Sequence, residues 1–208
     1  MTDSWKTEQE AFWSGAFGDD YVDRNAGAAL LASRTHLFSN ALKRAGGITS
    51  AVEFGPNIGI NLVALRHLLP AIDLAAIEIN AKAVAVLKTL EGVAVHHGSI
   101  LDRHVERRFD LAFCSGVLIH INPDALPTVY DNLHAASSRL ILISEYYNPA
   151  PVSIPYRGHG ERLFKRDFAG EMLDRFPDLR LVDYGFQYHR DPAFPADDVT
   201  WFLMEKTG

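Results

Sequence analysis

The chain has a single cysteine, Cys114, so no disulfide framework can form within it. That cysteine sits in the apolar run FDLAFCSG, which marks it as a small core residue rather than a reactive thiol. No stretch approaches the roughly 18 consecutive apolar residues that a membrane span requires. The opening MTDSWKTEQEAFW lacks the basic-then-apolar order of a secretory leader. A cytoplasmic location with no membrane partner is therefore expected. Positive charge is also short, with a formal net charge of −6 and a pI of about 5.8. That argues against a nucleic-acid partner, which would need a basic field. Metal-ligand spacing is missing as well. The nine histidines are scattered, and His96 and His97 fall on opposite faces of one strand. Neither H-E-x-x-H nor a paired Cys/His spacing occurs, so no metal is expected.

What the chain does have is the alternation of a layered α/β fold. Hydrophobic residues make up 48% of its 208 positions, enough to fill the core of one domain spanning 1–208. The apolar runs SAVEF (50–54), DLAAIE (73–78), GVAVHH (92–97), FDLAFCS (109–115) and RLILISEY (139–146) read as strands, several of them covered on both faces. Helical patterns fall at 58–69, 80–92 and within 123–137. Asn80 is placed as an N-cap, Gly92 as a stop and Pro123 in a first turn. A further helix is expected ahead of the first strand, in AGAALLASRTHLFSNALKRAGG. After the fifth strand, YNPAPVSIPYRGHGERL reads as a proline- and glycine-rich loop and RDFAGEMLDRF as a helix. LRLVDYGFQYHRD and DVTWFLMEK then read as a closing antiparallel pair.

The stretch AVEFGPNIGIN (51–61) runs from the first strand through a glycine loop into a helix. A dinucleotide fingerprint would need glycines where Asn57 and Ile60 stand, and a P-loop would need a lysine after Gly59. The loop instead resembles the acid-x-G-x-G-x-G of S-adenosylmethionine-dependent methyltransferases. Glu53, Gly55 and Gly59 match, and Asn57, which tolerates a left-handed backbone, replaces the middle glycine. Such a donor has no pyrophosphate. It carries an ammonium and a sulfonium, which a carboxylate such as Glu53 favours. On this loop alone, a plain βα turn with glycines for geometry stays open.

Later positions bear on the choice. Glu78 ends the second strand, where an acid can accept hydrogen bonds from both ribose hydroxyls. Ser99 and Ile100 follow the third strand and, with Ile79, can bracket an adenine ring, although many methyltransferases carry an acid where Ser99 stands. Ser115 and Gly116 open SGVLIHI after the fourth strand, where acceptor and methyl group meet. Order, spacing and strand ends agree on a methyl donor.

FWSGAFGDDYVDRN, EFGPNIGIN, SGVLIHINP, ISEYYNP and RLFKRDFAGE are together similar to one subfamily of class I methyltransferases, the pseudaminic acid biosynthesis-associated methylases, over about residues 10–205. The resemblance implies a Rossmann-like α/β fold: a seven-stranded, mostly parallel sheet with a C-terminal antiparallel strand pair and helices on both faces. It implies S-adenosyl-L-methionine as cofactor and methylation of N or O on a small-molecule acceptor, in the synthesis of bacterial surface sugars. The acceptor itself is not defined by these motifs, and a homodimer stays open.

The cofactor supplies the reactivity in methyl transfer, so the chain must orient, exclude water and, for some acceptors, remove a proton. His120, just past the fourth strand, is the candidate base, with a loop- or cofactor-bonded histidine as the alternative. Tyr146 is the second catalytic candidate. Residues 1–49 are expected to form a helical lid in which Tyr21 and Arg24 engage the methionine carboxylate or an acidic substrate, with a surface helix cap using Asp23 or Asn25 as the alternative, while Trp13 and Phe17 pack. Glu145 and Tyr147 are placed on the acceptor side. Arg157, His159, Arg162 and Lys165 gather cations that suit an anionic acceptor, unless they are an exposed mixed-charge loop. Two other classes stay in view: a nicotinamide-dependent oxidoreductase, and a methyltransferase-like subunit that binds without catalysis.

Overall fold

The computed structural model describes residues 5–24, 27–102, 106–157 and 159–208, with the backbone alone at 159–161. Parallel strands β1 (Ser50–Phe54), β2 (Asp73–Glu78), β3 (Val93–His97), β4 (Phe109–Ser115) and β5 (Ser137–Glu145) are extended by β8 (Leu179–Gln187) and β9 (Val199–Lys206). The seven-stranded order is β3-β2-β1-β4-β5-β9-β8, with β9 antiparallel to both β5 and β8. The chain therefore reverses its direction of travel across the sheet between β1 and β4. A crevice opens there, outside the carboxyl ends of the strands.

Period-2 alternation explains why these strands read as continuously apolar. Val52, Phe54, Ala75, Ile77, Ala112, Cys114, Ile141 and Ile143 face one core. Ala51, Leu74, Ala76, Leu111, Phe113, Leu140 and Leu142 face the other. Helices α6 (Leu126–Ala136) and α7 (Phe168–Arg175) cover the first face through Val129, Leu133 and Met172. Helices α3 (Ala28–Ala41) and α4 (Ile60–Leu68) cover the second through Leu37, Phe38, Leu62 and Leu65. Cys114 is fully buried and free, and burial pushes its thiol well above the usual range, so it packs as a core residue. Asn80 caps α5 (Ala81–Leu87) by accepting from Ala83 N at 2.9 Å.

One sequence expectation is corrected. Within the supposed loop after β5, the chain forms an antiparallel hairpin of β6 (Val152–Tyr156) and β7 (His159–Lys165). Its register shifts at Pro155, between the pairs of Ile154 and Tyr156, because proline cannot donate to the ladder. Arg157 takes the turn with φ +48°. Two short helices, α1 (Glu8–Ser14) and α2 (Ala16–Arg24), lie ahead of α3. No helix among the described residues is long and apolar enough to cross a membrane, and none of their His, Cys, Asp and Glu side chains group to hold a metal.

Candidate active site

The first loop is built from alternate residues in the left-handed region, Gly55 at φ +74°, Asn57 at +52° and Gly59 at +83°. At Gly55 a side chain is excluded, since a Cβ would lie 2.8 Å from Val117 Cγ2 in a backbone conformation that already disfavours one. Asn57 supplies its own compensation. Its Oδ1 accepts from Ile58 N at 2.7 Å, and its backbone N–H donates to Glu78 Oε2 at 2.8 Å. Gly59 N in turn donates to Pro56 O at 2.9 Å. The loop's amides at 57, 58 and 59 are thus all spent internally, and an incoming pyrophosphate would meet none of them free.

Every strand end beside the crevice contributes to one cleft. Toward β2 and β3 it is lined by Asn57, Glu78, Ile79, Ser99 and Ile100. Toward β5 it is lined by Asn61, Ser115, Tyr146, Tyr156 and Asp197. Tyr21, Gly55, Asn57, Gly116 and His120 line both parts, which makes the two continuous. Glu78 accepts from Asn80 N at 2.8 Å as well as from Asn57, and its burial raises its carboxyl above the ordinary range.

Helices α1 and α2 contribute Glu10, Trp13, Gly18 and Tyr21 to the lining of the cleft. Glu10 carries two duties: with Thr7 it forms a capping box, and its Oε1 accepts from the Ser99 hydroxyl. A buried carboxylate therefore stands beside Ser99 and lines the cleft there. Asn80 Nδ2 ties both helices down, donating to Trp13 O at 3.2 Å and Asp19 Oδ1 at 2.9 Å. Gly18 allows this approach, because a Cβ there would fall 1.9 Å from Trp13 O.

Beneath the first loop lies a set of incompletely paired polar groups. Glu53 is fully buried, and its Oε1 accepts from Asn61 Nδ2 at 2.6 Å. Its Oε2, the Asn61 Oδ1 and an Arg34 Nη1 have no hydrogen-bond partner among the described residues. Burial pushes the Glu53 carboxyl up to about 8, against the pull of Asn61 and Arg34. Arg34 and Asn61 line the cleft above it. Polar groups buried without partners are rare and call for one.

His120 ends a 3-10 turn (Leu118–His120) anchored by Glu145, whose Oε1 accepts from Val117 N and Leu118 N at 2.9 Å each. His120 Nδ1 lies 2.6 Å from Arg162 O. A carbonyl only accepts, so Nδ1 carries the hydrogen and the neutral ring keeps its lone pair on Nε2. Burial lowers the imidazole to about 4, so it is neutral near pH 7. The ring packs against Trp13 at 4.6 Å and Tyr156 at 4.8 Å between centroids.

Several expected site residues lie elsewhere. Arg24 is not in the cleft lining; its guanidinium sits over the Phe17 and Tyr21 rings at 5.8 Å. Glu145 is buried below the cleft and supports the His120 turn. Tyr147 is exposed and faces Phe202 at 5.9 Å. Arg162 pairs with Glu8 at 3.3 Å and lies over Phe12 at 5.4 Å. Arg157 lies over Tyr156 at 5.7 Å and Lys165 over Tyr146 at 4.8 Å, neither lining the cleft. The His159 side chain is outside the described residues. In turn the sequence reading missed Glu10, Arg34, Asn61, Tyr156 and Asp197. Only Glu10 carried a signal, the T-x-x-E of a capping box, which by itself speaks for helix geometry alone.

No protein-family model matches the chain, and no curated protein matches it in sequence. Solved structures share its fold. The 1,6-didemethyltoxoflavin-N1-methyltransferase of Burkholderia thailandensis, with 1,6-didemethyltoxoflavin and S-adenosylhomocysteine bound, is 17% identical. It superposes with a TM-score of 0.69 over 97% of this chain and 88% of its own. The magnesium protoporphyrin IX methyltransferase of Synechocystis PCC 6803, with S-adenosylmethionine bound, is 12% identical at a TM-score of 0.69, covering 99% of this chain and 100% of its own. A glycopeptide N-methyltransferase complexed with S-adenosylhomocysteine is 11% identical at 0.64, over 93% and 98%. The chain thus has the Rossmann-like fold of the class I methyltransferases.

Proposed function

We propose that the chain is a class I methyltransferase that takes its methyl group from S-adenosyl-L-methionine and places it on N or O of a small acceptor. The observation that carries this reading is a pair of buried, unpartnered atoms, Nη1 of Arg34, whose side chain lines the cleft, and Oε2 of Glu53 beneath it. They meet the needs of an amino-acid tail: a carboxyl for the ammonium and a guanidinium for the carboxylate. Glu78 at the end of β2 is suited to the ribose hydroxyls, and Ile79 and Ile100 to the faces of an adenine, with Ser99 and Glu10 at its edge. Bound there, the donor supplies an electrophilic carbon. The chain orients it, and α1 and α2 act as a lid that excludes water. His120 Nε2 faces the reaction as a neutral hydrogen-bond acceptor and base. The motif resemblance supports an acceptor among the precursors of bacterial surface sugars. Calorimetric titration with S-adenosylhomocysteine and NAD tests the donor assignment.

A linked proton gives a further test. With its carboxyl near 8, Glu53 is mostly protonated at pH 7 before the ligand arrives. An ammonium beside it lowers that value, so binding releases a proton, and affinity rises with pH up to about 8. Calorimetry of S-adenosylhomocysteine at pH 7, in buffers of differing ionisation enthalpy, should register release of close to one proton. An affinity independent of pH and of buffer would remove Glu53 from the ammonium site.

A second reading, a donor-binding subunit without catalysis, is favoured by one observation. Edge strand β8 exposes Tyr184, Phe186 and Leu181, a surface for a second copy or another partner. The two readings separate on whether any acceptor gains a methyl group.

A further inference from the structure

We infer that Glu10, on the N-terminal helix α1, accepts a hydrogen bond from the 6-amino group of the donor's adenine, so that the adenine subsite is complete only with α1 in place; this rests on the donor reading above. Glu10 and Ser99 are both buried, and both line the part of the cleft that Glu78, Ile79 and Ile100 share. In that reading the ribose lies at Glu78, on the carboxyl end of β2, and the ring lies between Ile79 and Ile100. The outer edge of the adenine then lies toward the end of β3, where Ser99 stands just past His97. That edge carries the 6-amino donor and calls for an acceptor.

Ser99 is spent on holding Glu10. Its hydroxyl donates to Glu10 Oε1, and its oxygen accepts from Leu101 N at 3.0 Å. The Asn80 amide is committed as well, to the cap of α5 and to Trp13 O and Asp19 Oδ1. Glu10 has capacity to spare. Its Oε2 accepts from Thr7 N at 2.8 Å and Thr7 Oγ1 at 3.4 Å. Its Oε1 takes the Ser99 hydroxyl alone among the described residues. Each carboxylate oxygen has two lone-pair sites, so Oε1 keeps one for a ligand, and a charged acceptor makes that bond a strong one.

The acceptor therefore comes from a helix 89 residues before Ser99 in the chain. That helix has seven residues, too few to stand in water by itself. Its place depends on ties to the rest of the site: the Glu10–Ser99 bond, Asn80 to Trp13 O, and ion pairs of Lys6 with Asp102 and Glu8 with Arg162. A ligand that bonds Glu10 only in the docked helix stabilises docking by the same free energy that the helix adds to binding. Reading the adenine and seating α1 are then one event.

The full chain is titrated calorimetrically with S-adenosylhomocysteine and with its purine-riboside counterpart, in which hydrogen replaces the 6-amino group and the ring nitrogens are unchanged. The amino compound should bind about tenfold tighter or more. Glu10→Gln should narrow that preference to about threefold or less, because the single amide oxygen is claimed by Thr7 N or Ser99. Thr7→Ala breaks the capping box but keeps the carboxylate, so it should affect both compounds alike and leave the preference in place. In the parent chain S-adenosylhomocysteine should slow amide exchange across α1, and the purine compound at equal saturation should slow it less. Equal binding of the two compounds, a preference that survives Glu10→Gln or is lost in Thr7→Ala, or α1 exchange that is untouched or slowed equally by both overturns the inference. A chain that binds neither compound loses the donor reading and this inference with it; one that binds both alike loses this inference alone.

Discussion

Replacing His120 with glutamine is expected to lower kcat by about a hundredfold or more, with S-adenosylhomocysteine affinity within about twofold of the parent. The ring sits at the junction of the two parts of the cleft, and its Nδ1–H is committed to Arg162 O. Nε2 alone is left for the acceptor. With its pKa near 4, the imidazole cannot strip a proton from a resting amine or hydroxyl. It can take one that becomes acidic as the new bond to carbon forms. Glutamine can keep the bond to Arg162 but offers no base. The same burial has a stability consequence with a definite sign. The folded pKa is depressed from an ordinary value near 6.5, so the stabilisation is present above that value and is lost as pH falls toward 4. It amounts to at most ~3 kcal/mol. A normal kcat in His120→Gln, measured under saturating donor, would reduce His120 to a packing residue.

The second large effect is on the donor. Glu78→Gln should weaken S-adenosylhomocysteine binding by about a hundredfold, or ~2.7 kcal/mol. Glu78 uses its two oxygens to accept from Asn57 N and Asn80 N at 2.8 Å each, and so it joins the first loop to the end of β2. An amide has only one oxygen, so its NH2 would confront one of those backbone donors. The loop then loses its anchor as well as its acceptor for the ribose. Circular dichroism and thermal unfolding of the free variant check that the sheet survives. Unchanged affinity would place the ribose away from Glu78.

These expectations rest on parts of the molecule that differed in how plainly they could be read. The strands β1, β2, β4 and β5 stood out because both faces of each are buried, leaving runs such as LAFC without polar interruption, whereas β3 is a partly exposed edge strand. The left-handed turn at Asn57 was legible from local chemistry, since few residues accept that conformation and its neighbours were glycines. The β6–β7 hairpin was not, because Pro151, Pro155 and Gly158 gave the composition of a loop and the strands pair with each other outside the main sheet. Arg24 and Arg34 divide on the same point. Both are cations on N-terminal helices; Arg24 meets Tyr21 and Phe17, three and seven residues earlier on its own helix, whereas only tertiary packing brings Arg34 beside Glu53. Asp197, from a loop far along the chain, reaches the cleft only because β9 inserts beside β5. Periodicity reports which face of an element is buried; it does not report which elements meet.

The central claim, that this cleft holds a methyl donor with an amino-acid tail, is tested most directly by calorimetric titration of the full chain with S-adenosylhomocysteine and, separately, with NAD. The account predicts one S-adenosylhomocysteine bound per chain and no measurable heat from NAD, because the amides at 57, 58 and 59 are already spent. Saturable binding of NAD with none of S-adenosylhomocysteine would contradict it.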